Sequence, residues 1–201
     1  RDYFEEDVCD KKTEWEIKNN EINFFWEGQS HSNIKIFLLI KKILIKIKGY
    51  KIKLHIVTDK KYCILGGQYV CFSTHNLLQK LFKNTGIEII FYDWNRENLT
   101  SAAKKSDIGL IPIPNKRRLL LKPENKMILM WSLGLPVIAT ETESHLRVMG
   151  SINANWLCSS IDDWEAKICL LIKEKQARLK YIYSISNFLK NEYSTNVLSK
   201  T

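Results

Sequence analysis

Short apolar runs alternate with longer stretches of helical spacing along most of this chain. Ile22–Trp26 is an aromatic, apolar run halted by Gly28, the pattern of a buried strand. Asn33–Lys48 follows as an apolar-dominated helical stretch that stops at Gly49. Ile52–Val57 is the next strand, closed by Thr58 and Asp59, and residues 60–73, with Gly66 and Gly67 near the centre, form a loop or small hairpin. Thr74 can cap a helix running to about Asn84, with Leu77, Leu78, Leu81 and Phe82 at helical spacing. After Gly86 come a strand at Ile87–Tyr92, a helix at Asn95–Lys105 and a strand at Asp107–Ile111 that Pro112 and Pro114 end.

A basic loop then leads to a fourth helix, Pro123–Leu133, with Pro in its first turn and Gly134 past its end. Pro136–Ala139 is a fifth strand, Thr142–Met149 a short helix and Asn155–Cys158 a sixth strand. Asp162–Tyr193 is helical, with a break expected near Ser184–Ser186. Six strand-then-helix units with short connections predict an α/β fold: a Rossmann-like parallel sheet of about six strands with helices on both faces. Such sheets bind ligands at the C-terminal ends of their strands. Gly28–Ser32, Thr58–Asp59, Asp93–Trp94, Pro112–Lys126 and Thr140–Thr142 occupy those positions.

Composition narrows the possibilities. At 45% apolar residues the chain of 201 carries a substantial core, and no stretch approaches a membrane span of roughly 18–20 apolar residues. Arg1 is not a start residue, so the chain is expected to be part of something longer, with residues 1–21 a linker or the tail of a preceding domain and residues 22–201 the main domain. Those first 21 residues hold eight acids against four bases, so the remainder carries +13 of charge where the whole chain has +9. The excess comes from lysines scattered through Ile/Lys/Asn-rich text, with no nucleic-acid recognition motif, and points to an anionic small ligand or an acidic lipid surface if to any partner. Five cysteines without a C-x-x-C pair suit free thiols and a cytoplasmic setting, the inner face of a membrane included. Four scattered histidines give no metal-ligand spacing, so no metal is expected.

The chemistry concentrates at Lys122-Pro123-Glu124-Asn125-Lys126. A helix start offers unpaired N–H groups and a partial positive charge, which Ser, Thr, Asp or Asn normally caps. Lys122 cannot accept a hydrogen bond there, and Lys126 puts a second cation at the same disfavoured end. Two readings fit: a bound anion offsets both lysines, or this is a surface helix start shielded by Glu124. His145, on the short fifth helix, is expected at the surface, and Met130 and Trp131 in the core.

The block Lys122-x-x-Asn125-Lys126, followed by Gly134-Leu-Pro136-Val137-Ile-Ala139 and preceded by the strand Asp107–Ile111, resembles the C-terminal, donor-binding domain of GT-B-fold glycosyltransferases, most of all the bacterial group 1 family. Phe25-Trp26-Glu27-Gly28 and the order of units fit the same half, so the similarity covers roughly residues 22–190. The resemblance implies a nucleotide diphosphate-sugar as substrate, with no further cofactor, and a glycan or lipid-linked acceptor. It also implies that the domain is inactive without an N-terminal acceptor domain, where any catalytic group would lie; none is assigned on this chain. Gly28, Thr58, Trp94, Lys122, Glu124, Asn125 and Lys126 are the implied donor-binding residues, with Trp94 near the base and Asn125 and Lys126 at the phosphates. The chain departs from the family where a ribose-binding Glu is usual, at Leu129, where a second acid is usual, at Leu121, and after Gly28, where a basic pair is usual. A non-catalytic binding or scaffold domain of the same fold is therefore the alternative. A dinucleotide enzyme is disfavoured by the lack of G-x-G-x-x-G after any strand.

Overall fold

The computed structural model describes residue 17 and residues 20–30, 34–64, 70–114, 123–152 and 155–192. Its strands are β1 (Glu21–Glu27), β2 (Lys51–Thr58), β3 (Lys61–Ile64), β4 (Val70–Ser73), β5 (Ile87–Asp93), β6 (Ile108–Ile111), β7 (Val137–Thr140) and β8 (Leu157–Cys158). Its helices are α1 (Ile34–Leu44), α2 (Thr74–Phe82), α3 (Arg96–Lys104), α4 (Asn125–Ser132), α5 (Glu143–Ser151), α6 (Ile161–Lys173) and α7 (Lys175–Glu192). Six strands form one sheet in the order β5-β2-β1-β6-β7-β8, every neighbouring pair parallel. All six predicted strands are present. The loop or small hairpin expected at residues 60–73 is the antiparallel pair β3–β4.

The strand order reverses at β1, which pairs with β2 on one side and β6 on the other. Strands earlier in sequence lie to one side of it and later strands to the other, which makes its C-terminal end the switch point beside which such sheets bind ligands. Ile22, Phe24, Phe25 and Trp26 of β1 are all buried, the near-continuous apolar run that a strand covered on both faces requires.

Helix α4 is pinned from both sides. Met127, Ile128, Met130 and Trp131 are buried, as expected for the last two. Gly109 on β6 admits the helix closely, since a Cβ there would meet Met130 Sδ at 2.9 Å. Tyr181 of α7 reaches under it: its hydroxyl donates to the Val137 carbonyl at 2.8 Å and accepts from Trp131 Nε1 at 3.3 Å. Burial raises the Tyr181 phenol above its ordinary pKa, so it stays a donor. Trp131 also meets Phe188 edge-on, with ring centroids 5.7 Å apart.

Three local expectations are corrected. Ser73, not Thr74, caps α2, accepting from Asn76 N at 3.2 Å, while Thr74 is buried and its hydroxyl donates to Ser30. The final helical stretch breaks at Glu174, between α6 and α7, and not near Ser184–Ser186. Arg178 explains the earlier break: its buried guanidinium donates to the carbonyls of Leu171 and Ile172, replacing the bonds a continuous helix would give them. Cys71 is disulfide-bonded, on the strand of the hairpin whose register sets it opposite position 63. The expectation of uniformly free thiols therefore fails at Cys71. Cys158 and Cys169 are free; burial pushes the Cys158 thiol up to about 12, which leaves it inert.

A partly buried polar chain runs through the first half of the sheet, centred on the buried His55. Asp107 accepts from Asn23 N at 2.8 Å and from Asn23 Nδ2 at 3.3 Å. Asn23 Oδ1 in turn accepts from His55 Nε2 at 3.1 Å, so His55 Nδ1 is the acceptor for the Tyr92 hydroxyl at 3.0 Å. Burial, reinforced by the charge of Lys105, lowers His55 from 6.5 to about 4. The unfolded chain takes up this proton first, so the neutral ring stabilises the fold above pH 6.5 and that contribution is lost as pH falls to about 4. Unfolding titrations in urea should show a loss of about 3 kcal/mol over that window. In His55→Gln the slope should be visibly reduced; an unchanged pH profile would contradict the assignment.

Candidate functional site

At the C-terminal ends of β1 and β6, where the strand order reverses, lies a cavity of about 180 Å³. Apolar walls come from Trp26, Ile36, Ile111, Ile113 and Pro123, with Leu110 and Pro112 behind them. Its polar groups are Asn125 and Lys126 at the start of α4 and His145 on α5.

Lys126 sets the geometry. Its Nζ donates to the Glu27 carbonyl at 2.6 Å and lies 3.3 Å from Glu27 Oε1, over the Trp26 ring at 5.2 Å from the centroid. Glu27 is only 7% exposed, so the ammonium compensates a nearly buried carboxylate. Gly28 makes this approach possible: a Cβ there would stand 2.4 Å from Lys126 Nζ, and its φ of +148° disfavours any other residue. The close approach that Gly28 permits is thus to Lys126 within the chain. Lys126 is also not an uncompensated cation at a helix end, because Glu27 offsets it.

The helix itself begins later than expected. Glu124 is the N-cap of α4, Asn125 its first residue, and Pro123 lies before the cap rather than in the first turn. No side chain caps this end, in keeping with the uncapped start expected from sequence. Glu124 instead turns to Arg147 of α5, whose Nη2 donates to Oε1 at 2.7 Å. Burial raises the Glu124 pKa, but backbone and Arg147 hydrogen bonds outweigh it, and the carboxyl lies below its ordinary range.

His145 is the residue that sequence reasoning misplaced. It is 1% exposed, not at the surface, because α5 turns back over the end of β7. Thr142 caps α5 by accepting from His145 N at 3.2 Å, and the ring then meets the Thr140 carbonyl through Nδ1 at 2.7 Å. A carbonyl only accepts, so Nδ1 carries the hydrogen and Nε2 keeps its lone pair. Burial lowers the ring's pKa against the opposing pulls of the Thr140 carbonyl and Glu124, which favours this neutral form. The available signal was Thr142 three positions ahead, which sets the helix phase.

The other expected residues divide along the strand edge. Asn125 and Lys126 line the cavity, Gly28 lies against Lys126 and Trp26 without lining it, and Glu124 is the N-cap of α4. Thr58 and Trp94 do not line it. They continue the same edge: Gly28 N donates to Val57 O at 3.1 Å, and Trp94 N donates to Thr58 O at 3.0 Å. Thr58 Oγ1 is fully buried without a hydrogen-bond partner, whereas Trp94 is 44% exposed. Lys122, His31 and the basic residues 116–118 lie outside the described residues. Leu129, where the resemblance leads one to look for a ribose-binding Glu, packs partly buried against the core.

No protein-family model matches the sequence, and no curated protein matches it. Solved structures do match its fold. A glycosyltransferase from Rickettsia africae is 16% identical, with a TM-score of 0.60 over 89% of this chain and 45% of that one. S. aureus TarM is 11% identical, with a TM-score of 0.65 over 96% of this chain and 36% of that one. The C-terminal domain of a group 1 family glycosyl transferase from Francisella tularensis is 14% identical, with a TM-score of 0.60 over 86% of both chains. The chain therefore has the fold of the C-terminal, Rossmann-like domain of a GT-B glycosyltransferase, and spans less than half the length of the first two.

The Glu27–Lys126 contact ties β1 to α4 across 99 positions. Lys126→Met keeps the length of the stem but strands a buried carboxylate, so thermal or chemical denaturation should show a loss of about 1–3 kcal/mol. Replacing Glu27 by Gln as well should recover part of it, since the second change removes the orphaned charge. An undiminished stability in Lys126→Met would show that the contact holds nothing.

Proposed function

We propose that this chain is the donor-binding half of a glycosyltransferase. It takes a nucleotide diphosphate-sugar along the C-terminal edge of its sheet, for transfer to a glycan or lipid-linked acceptor. The observation that carries the reading is the cavity at the strand-order reversal, with a cation and an uncapped helix start on one rim. Solved neighbours support it: S. aureus TarM was crystallised with UDP, and a trehalose-6-phosphate protein from E. coli with UDP-2-fluoro glucose. In this reading the diphosphate draws Lys126 partly away from Glu27 and meets the N–H groups at the start of α4. A second, N-terminal domain closes the cleft and supplies the acceptor site and any catalytic base. Along α1 and just past its end, exposed Leu38 and Ile45 alternate with exposed Lys35 and Lys42, which suits peripheral contact with an acidic membrane.

Two observations favour a second reading, a scaffold domain that no longer turns over a donor. Lys126 already has an internal anion in Glu27, and Leu129 offers a ribose nothing to hold. Calorimetry on the 201-residue chain with UDP, GDP and dTDP separates the two. The donor-binding reading expects at least one nucleotide to bind, and Lys126→Ala to weaken it by about 1–3 kcal/mol, the range for a lost charge-assisted hydrogen bond. Lys173→Ala, on α6, should bind like the parent. Binding by none of the three nucleotides would leave the scaffold reading standing.

A further inference from the structure

The cavity is too small for a whole nucleotide sugar. Sites for drug-sized ligands run to roughly 300–1,000 Å³, whereas a dry cavity of about 150 Å³ holds a single benzene ring. At about 180 Å³ it has room for one six-membered ring with a small substituent. It also lies at one end of the strand edge. From β6, which lines it, to β5, which carries Trp94, the order is β6-β1-β2-β5. Three interstrand spacings amount to about 14 Å. Exposed Trp94 offers a flat apolar face at the far end, Gly28 lies between, and the cavity, with Lys126 on its rim, terminates the row. A donor laid along it with its phosphates at Lys126 and its base toward Trp94 puts its sugar in the cavity.

The wall chemistry then selects among sugars. An ordinary hexose brings several hydroxyls, and each one buried without a partner is costly. Among the described residues, three polar side chains line it: Asn125, Lys126 and His145, whose Nε2 is an acceptor. One of these, Lys126, is committed to Glu27 or to phosphate. Against them stand Trp26, Ile36, Ile111, Ile113 and Pro123, a wall with no side-chain hydrogen-bonding group except the indole N–H. A methyl group satisfies such a wall and a hydroxymethyl group does not.

Resting on the donor-binding reading above, we propose that the sugar taken by this site carries a methyl-bearing substituent, held against the wall of Trp26, Ile36, Ile111, Ile113 and Pro123. Two sources supply that chemistry: the C6 methyl of a 6-deoxy sugar, or the acetyl methyl of a 2-acetamido sugar. His145 accepts a hydrogen bond from one of the remaining hydroxyls through Nε2.

The test uses the 201-residue chain and calorimetry or ligand-detected NMR. UDP, GDP and dTDP identify the nucleotide first. Within that nucleotide, three sugars are compared: the parent hexose, its 6-deoxy form and its 2-acetamido form. Either the 6-deoxy or the 2-acetamido compound should bind at least about tenfold more tightly than the parent hexose, in the range that apolar pockets discriminate. Whichever gains shows whether C6 or C2 faces the wall. A parent hexose that binds as well as both overturns the proposal and leaves the donor-binding reading intact. Failure of every nucleotide and nucleotide sugar to bind overturns both.

Discussion

The contact between Lys126 and the end of β1 is the constraint on which the rest of the site depends. A single ammonium bonds the Glu27 carbonyl, neutralises the Glu27 carboxylate and covers the Trp26 ring. It fixes the first residues of α4 against the strand that starts the fold, and so sets one rim of the cavity. Gly28 has to be glycine for this to happen, on grounds of both space and backbone angle. A nearly buried carboxylate without its cation is costly, so the pair stabilises this end of the sheet.

Everything behind the rim holds α4 still. Gly109 lets the helix sit close to β6, and Trp131 locks its far side to Tyr181 and Phe188 of α7. Tyr181 then bonds the Val137 carbonyl, so the last helix braces β7 and α4 together. A binding edge built from loops needs such a scaffold, because misplacement by about 1 Å is enough to weaken a site. His145 gains its place the same way, through the Thr142 cap and the Thr140 carbonyl, both carried on the end of β7.

The parallel sheet also keeps its polar groups in two separate regions. Asp107, Asn23, His55 and Tyr92 bond one another in a continuous, partly buried chain. At the C-terminal edge, by contrast, α4 has no side-chain cap, Thr58 Oγ1 has no partner and His145 has an open acceptor. The two polar regions differ in what they leave unfinished, and that difference separates a structural network from a candidate site.

By itself the sequence determined the order of strands and helices and the parallel class of the sheet, and it pointed to a segment of which Asn125 and Lys126 line the cavity. Those features rest on local spacing: apolar periodicity, glycine stops at Gly49, Gly86 and Gly134, and prolines after β6 act within a few residues. Only the tertiary structure decided what Lys126 touches, that His145 is buried, that Arg178 breaks the last helix at Glu174, and that Cys71 enters a disulfide. Each of these depends on a partner brought in by folding, and the Glu27–Lys126 pair spans 99 positions of chain. Nothing in the spacing of one residue's neighbours records which distant carbonyl its side chain will meet, because packing settles that once all the elements are in place.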